Sequence, residues 1–200
     1  MTPQQQMIVD SFNSSTYVDN RMDVQHTPLY DTVVLAAAAS LTPLTSAFFT
    51  NVGAASAKTV ALTNMSQANR LPAPEAFSIL SMRFRLGEDI LRADMLDIIN
   101  GFALRFFLGQ KIYNQAPPWY YSAGGGIWGF SNVTDQATYT NGTPSRESMH
   151  KLAIPMVIEN QMNFSGNLEG NALTLGAVGI GGTGATLQFL LDGLYARGVQ

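Results

Sequence analysis

Residues 77–86 show the clearest hydrophobic pattern in the chain. Leu80, Met82, Phe84 and Leu86 fall on one side of a two-residue repeat, and Phe77, Ile79, Ser81, Arg83 and Arg85 fall on the other. The first set is wholly apolar, which predicts a strand with one buried face, ended by Gly87. Phe102 to Leu108 repeats the pattern with Phe102, Leu104, Phe106 and Leu108 on one face. Between them the period changes. Leu91, Met95 and Ile98 stand at i, i+4 and i+7, with Ile90, Leu96 and Ile99 widening the stripe. That spacing predicts a helix over 88–100, with Glu88 and Asp89 suited to its N-terminus and Gly101 as its stop.

Other segments read as short strands. Thr32 onward is β-branched before an alanine run that Pro43 limits. Ser46–Thr50 and Lys58–Thr63 are strand candidates, as are Ile112-Tyr113, Lys151–Ile158, Gln161–Gly170 and Thr186–Tyr195. Pro155 inside the 151–158 run predicts an edge or a bulge, and Gly193 interrupts the last run. About eight or nine short strands with one helix and no strand–helix rhythm favour an all-β fold. The expected architecture is an antiparallel β-sandwich, a single jelly roll in its eight-stranded form, with the helix inserted between strands. Residues 1–28 are polar with little periodicity and read as an extended N-terminal arm; residues 29–200 read as one sandwich domain.

Composition narrows the chemistry. The 200 residues include no Cys, two His (His26 and His150) and 12% charged residues, against 46% hydrophobic ones. Disulfides, thiolate metal sites and Cys nucleophiles are thereby excluded. A net charge of -3 with scattered basic residues argues against strong phosphate binding, so no sequence-specific nucleic-acid partner is expected. The N-terminus lacks a basic segment followed by an apolar run, and the longest apolar stretch, near 33–39, is too short to span a bilayer. The expectation is synthesis in a cytoplasm without a signal peptide or transmembrane segment. The five Asn-x-Ser/Thr sequons, at Asn13, Asn64, Asn132, Asn141 and Asn163, are read as chance in an Asn-, Ser- and Thr-rich chain.

Candidate motifs mostly have structural readings. Gly179, Gly181 and Gly184 match G-x-G-x-x-G, but the following strand and ribose-binding acid are missing, so a flexible turn is the better reading. Gly124–Gly126 lacks the Lys-Ser/Thr of a phosphate loop. His26 and His150 show no metal-ligand spacing. Asp94 and Asp97 stand at i and i+3 and could pair as acids; their apolar neighbours instead place them on the solvated side of the helix. No catalytic residues, cofactor or metal are expected. The binding candidates are aromatic: Trp119, Tyr120, Tyr121, Trp128 and Phe130, in a long irregular stretch over 114–150. They suit a protein interface, a cover for the core, or a stacking surface for sugars, in that order.

Three segments carry a family resemblance: Gly101-Phe-Ala-Leu-Arg-Phe-Phe-Leu-Gly-Gln-Lys111, Lys151-Leu-Ala-Ile-Pro-Met-Val-Ile-Glu-Asn-Gln-Met-Asn-Phe-Ser-Gly-Asn-Leu168, and Leu187-Gln-Phe-Leu-Leu-Asp-Gly-Leu-Tyr-Ala-Arg-Gly-Val199. With their glycine and asparagine punctuation they resemble the jelly-roll capsid proteins of tailless icosahedral bacterial viruses, over about residues 77–200. The resemblance implies a non-enzymatic structural protein that packs into a virion shell with copies of itself and with other capsid proteins. It leaves open a membrane beneath the shell, and whether the role is that of a major, minor or vertex protein. Major capsid proteins of several such viruses carry two jelly rolls, and this length holds one. Two other readings stand beside it: a carbohydrate- or receptor-binding sandwich, and a subunit of a non-viral filament or surface layer.

Overall fold

A computed structural model describes residues 22–36, 38–41, 44–52, 56, 58–87, 90–121, 151–176 and 186–198. The described residues form eleven strands. The first five are β1 (Met22–His26), β2 (Leu29–Val34), β3 (Ser40–Leu41), β4 (Leu44–Phe48) and β5 (Ala76–Leu86). Helix α1 (Arg92–Gly101) runs straight into β6 (Phe102–Leu108), which turns at Gly109 into β7 (Lys111–Ala116), and a 3-10 turn, Pro118–Tyr121, follows. The last four are β8 (Lys151–Ile158), β9 (Phe164–Gly170), β10 (Leu173–Thr174) and β11 (Thr186–Gly198).

The strands make two main antiparallel sheets. β2 and β1 pair in succession along one side of the long β11, so Leu29–Val34 meets Thr186–Leu191 and Met22–His26 meets Leu194–Gly198. The first sheet is therefore β1/β2–β11–β5–β8, and the second is β4–β9–β6–β7. With β1 and β2 taken as one interrupted strand, the pairs across the chain are first with last, second with seventh, third with sixth, and fourth with fifth. That nesting is a long antiparallel ribbon rolled onto itself, the jelly-roll winding. β3 and β10 pair as a separate two-stranded ribbon.

The core lies between the sheets. Phe102, Leu104, Phe106 and Leu108 are buried as their alternation predicts. Phe189 of β11 faces the second sheet, its ring 5.7 Å from Phe48, 5.8 Å from Phe49 and 6.2 Å from Phe106. Opposite it, β9 carries Gly166, where an added Cβ would stand 2.9 Å from the Phe189 ring. The glycine makes room for the aromatic.

β5 departs from simple alternation. Asp192 pairs with Ser81 and Gly193 with Ile79, leaving Leu80 as the extra residue of a bulge. Phe77 and Ile79 point inward before it; Met82, Phe84 and Leu86 point inward after it. Both faces of the sequence pattern thus contribute to the core. Gly193 is required here because a Cβ would lie 1.9 Å from the Ser78 carbonyl oxygen.

Several expectations need correction. Lys58–Thr63 is not a strand. Leu62 N–H and Thr63 N–H both donate to the Thr59 carbonyl, closing a turn, and only Thr63 bridges to Asp31. Ser46–Thr50 is displaced to Leu44–Phe48, because Phe49 takes a left-handed φ of 67° and ends the strand. Gln161 lies in a turn, also left-handed at φ 58°, so β9 begins only at Phe164. The helix begins at Arg92, and Glu88 and Asp89 lie outside the described residues. Of the arm over 1–28, Met22–His26 is strand β1, built into the first sheet.

The sheet edges are guarded. Along the free side of β2, Tyr30 N–H donates to Asn64 Oδ1 at 2.9 Å and Asn64 Nδ2 donates to the Pro28 carbonyl at 2.7 Å. The Tyr30 hydroxyl donates to the Val60 carbonyl. A side-chain amide stands in for a neighbouring strand, which blocks pairing with another chain there. β8 is an edge strand whose register jumps between Met156 and Lys151, around Pro155, as that proline predicts. β7, the outer strand of the second sheet, has its own bulge: Asn114 pairs with Phe106 and Ile112 with Phe107, with Tyr113 extra.

Candidate interaction surface

The aromatic stretch divides where β7 ends. Pro118–Tyr121 is a 3-10 turn in which successive side chains point about a third of a revolution apart. Tyr121 turns inward and is 1% exposed; Trp119 and Tyr120 turn outward at 53% and 39%. The Tyr121 ring sits 6.4 Å from Phe189 and its hydroxyl donates to Asn114 Oδ1 at 2.9 Å. Tyr121 therefore belongs to the sandwich core. Trp119 and Tyr120 meet edge to face at 6.4 Å, and Tyr120 meets Tyr121 at 5.4 Å. The buried tyrosine anchors the pair that faces solvent. Trp128 and Phe130 lie outside the described residues, as do Gly124–Gly126, His150 and the glycines at 179, 181 and 184.

The edge strand β7 exposes two more apolar side chains. Its bulge sends both Ile112 and Tyr113 outward, and both are about half exposed. Exposed Ile112, Tyr113, Trp119 and Tyr120 therefore fall within one strand and the turn that follows it. Periodicity could not single out Ile112 and Tyr113, since a bulge changes which residues share a face without changing their spacing.

The charged residues are mostly spent on structure. Asp31 is fully buried on β2: its Oδ2 accepts from Phe49 N–H at 2.8 Å and its Oδ1 from Lys58 Nζ at 2.7 Å. A half-open cleft of about 330 Å³ lies beside this pair, lined by Thr32, Val34, Asn51, Ser56, Lys58 and Leu62. Asp94 is not on the solvated side of the helix. It is 9% exposed, and its Oδ2 accepts from Gly176 N–H at 2.9 Å, tying α1 to the segment after β10. Asp97 is exposed, so the two do not form an acid pair. His26 Nε2 lies 3.2 Å from Asp192 Oδ1, and Arg83 holds the other oxygen at 2.6 Å. Among the described residues no three His, Cys, Asp or Glu side chains gather as metal ligands.

Two phenols titrate late. Burial, with a smaller contribution from Tyr120, raises Tyr121 above the ordinary tyrosine range. Burial first, and then a hydrogen bond donated to Glu75, raises Tyr195. Unfolded phenols ionise near pH ~10. The stability these two groups contribute is present below that pH and is lost as pH rises through their higher folded values. Denaturant midpoints should therefore fall above about pH 10. Tyrosinate absorbance should show two phenols ionising only as the fold is lost; full ionisation near pH ~10 with the fold intact would contradict both assignments.

The sequence matches no protein-family model and no curated protein. No helix among the described residues is long and apolar enough to cross a membrane.

Proposed function

We propose that this chain is a structural, non-catalytic subunit that assembles with copies of itself into the icosahedral shell of a bacterial virus, alone or with other capsid proteins. The observation that carries the reading is the set of exposed apolar side chains on β7 and on the turn that follows it: Ile112 and Tyr113 on the strand, Trp119 and Tyr120 on the turn, on a jelly roll with few charges. Aromatic side chains of this kind form the centres of protein interfaces, where charge is depleted. The bulge of β7 and the proline of β8 direct association through side chains in place of strand addition at those edges. The subunit's place in this reading is the virion, after synthesis in the host cytoplasm.

Electron microscopy of the purified protein, with its mass in solution, tests the proposal. Closed shells or capsomer-like rings are expected. Trp119→Asp and Ile112→Asp should each leave a folded subunit by circular dichroism and weaken association. A contact of hot-spot strength is worth about 2 kcal/mol, or roughly 30-fold in affinity. Unchanged assembly in both variants would remove this edge from the interface.

The exposed Trp119 beside Tyr120 also favours a second reading, a platform for stacking sugars. In that case Trp119→Ala abolishes glycan binding and leaves a discrete small oligomer intact. Filaments in the micrographs would point to an open array in place of a shell.

A further inference from the structure

β1 and β2 share one side of β11, and they are held there in different ways. β2 buries Leu29, Asp31 and Thr32 as it pairs with Thr186–Leu191. β1 pairs with Leu194–Gly198, yet Asp23, Val24, Gln25 and His26 are all exposed, Val24 at 48%. The side-chain contacts that tie β1 to β11 are ionic and open to water: Arg197 stands 3.5 Å from Asp23, and His26 stands 3.2 Å from Asp192. Exposed pairs of this kind add little to stability. The backbone ladder therefore carries the docking of β1. No buried apolar side chain among Asp23–His26 offsets the entropy lost in ordering them.

The break between the two strands has the parts of a hinge. Pro28 has no N–H to give to the ladder, which stops there. Asn64 Nδ2 donates to the Pro28 carbonyl at 2.7 Å and pins the start of β2. On the β1 side, Thr27 N–H meets the Gly193 carbonyl at 3.2 Å, the long end of the ordinary range. β1 can leave while β2 stays. Its departure frees one flank of Leu194–Gly198, a row of backbone groups already shaped to pair with this strand.

We infer that β1 is an exchangeable strand. It leaves its own β11 and takes the same antiparallel register on the β11 of a second copy, from Met22 opposite Gly198 to His26 opposite Leu194. The partner is a second copy because the seat is defined by the strand that fills it. The ladder and both ion pairs are remade between chains, so exchange of an identical element costs little. Met22 to Thr27 extends to about 20 Å, enough to cross to an adjacent subunit. The tether through Thr27 favours the intrachain form in dilute solution, and close packing of copies favours exchange. Exchange supplies a backbone contact for the association proposed above and does not require that the assembly be a shell.

The chain has no Cys, so introduced thiols are the only ones present. Asp23 and Arg197 are direct register partners with half-exposed side chains. In dilute solution a chain carrying both Asp23→Cys and Arg197→Cys should close a disulfide within itself; failure to close would overturn the seat. The two substitutions are then made in separate full-length chains, mixed at high concentration, oxidised and run without reductant. A dimer cross-linked between positions 23 and 197, identified by peptide mapping, should form several-fold more than one between Asp23→Cys and Ile154→Cys, whose side chain is more exposed and lies on β8. Equal yields would overturn the inference. Hydrogen exchange gives a second readout: ladder amides of Met22–His26 should exchange roughly tenfold faster, or more, than those of Leu29–Val34. Equal protection of the two strands would also overturn it. Cross-linked dimers without shells in the micrographs would sink the shell reading and keep the exchange, and shells without the 23–197 cross-link would do the reverse.

Discussion

Asp31→Ala is expected to cost about 3–5 kcal/mol, the loss that follows removal of one partner from a buried ion pair. Three things fail together. Lys58, whose side chain is only 13% exposed, keeps its charge and loses the carboxylate 2.7 Å away. The Phe49 amide loses its acceptor. Phe49 is held at φ 67°, a costly conformation for a bulky residue. It is fixed by Asp31 on its N–H, by Asn69 N–H donating to its carbonyl at 2.7 Å, and by its ring against Phe164 and Phe189. Losing one of these restraints loosens the connection from β4 to β5, which also covers the free edge of β2. Asp31→Asn should lose less, since an amide oxygen can still accept from Phe49. Chemical denaturation checks both variants; a shift under 1 kcal/mol for Asp31→Ala would mean the pair is held loosely and hydrated.

Phe189→Ala should be comparably damaging, about 3–5 kcal/mol. Phe189 comes from the central strand of the first sheet, and its ring is near Phe48, Phe49, Phe106 and Tyr121. Those residues come from β4, the segment after it, β6 and the 3-10 turn, so one side chain ties the two sheets and the anchor of the aromatic surface. Gly166 beneath it cannot fill the gap. Truncation would leave a cavity close to the seat of Tyr121 and should disturb the presentation of Trp119 and Tyr120 as well as lower stability. Thermal unfolding measures the first effect and tryptophan fluorescence the second. A small stability change with unaltered fluorescence would show that the neighbouring rings collapse into the space.

The elements legible in the sequence were those whose burial follows a fixed period. β6 alternates without interruption and α1 carries a three-to-four-residue stripe, so both could be read directly. β5 was legible as a strand, but its inward side was not: Leu80 shifts the phase, and periodicity assumes a constant one. Lys58–Thr63 shows the opposite error, since Val60 and Leu62 alternate with Thr59, Ala61 and Thr63 inside a turn that gives Val60 to solvent. Strand order was out of reach because the pairing of β2 with β11 joins residues more than 150 positions apart, and nothing local records it. The aromatic stretch was visible as a candidate surface, while the division between Tyr121 and its two neighbours needed the 3-10 turn. Asp31 had left one trace, a lone carboxylate among Leu29, Val33 and Val34, which marks a buried charge in want of a partner. The partner, Lys58, lies 27 residues on.

The rolled ribbon also sets an order in time. The middle strand of the first sheet, β11, is the last strand of the described chain to leave the ribosome, and both β2 and β5 depend on it. From Leu86 to Thr186 is a hundred residues, roughly 5–20 s of synthesis at ordinary rates. The β6–β7 hairpin can close almost as soon as it emerges, whereas β5 must wait with one long apolar flank unpaired. For that interval the nascent chain is a strand-adding template to its neighbours on the same message. A chaperone that shields residues 76–86 would matter most then.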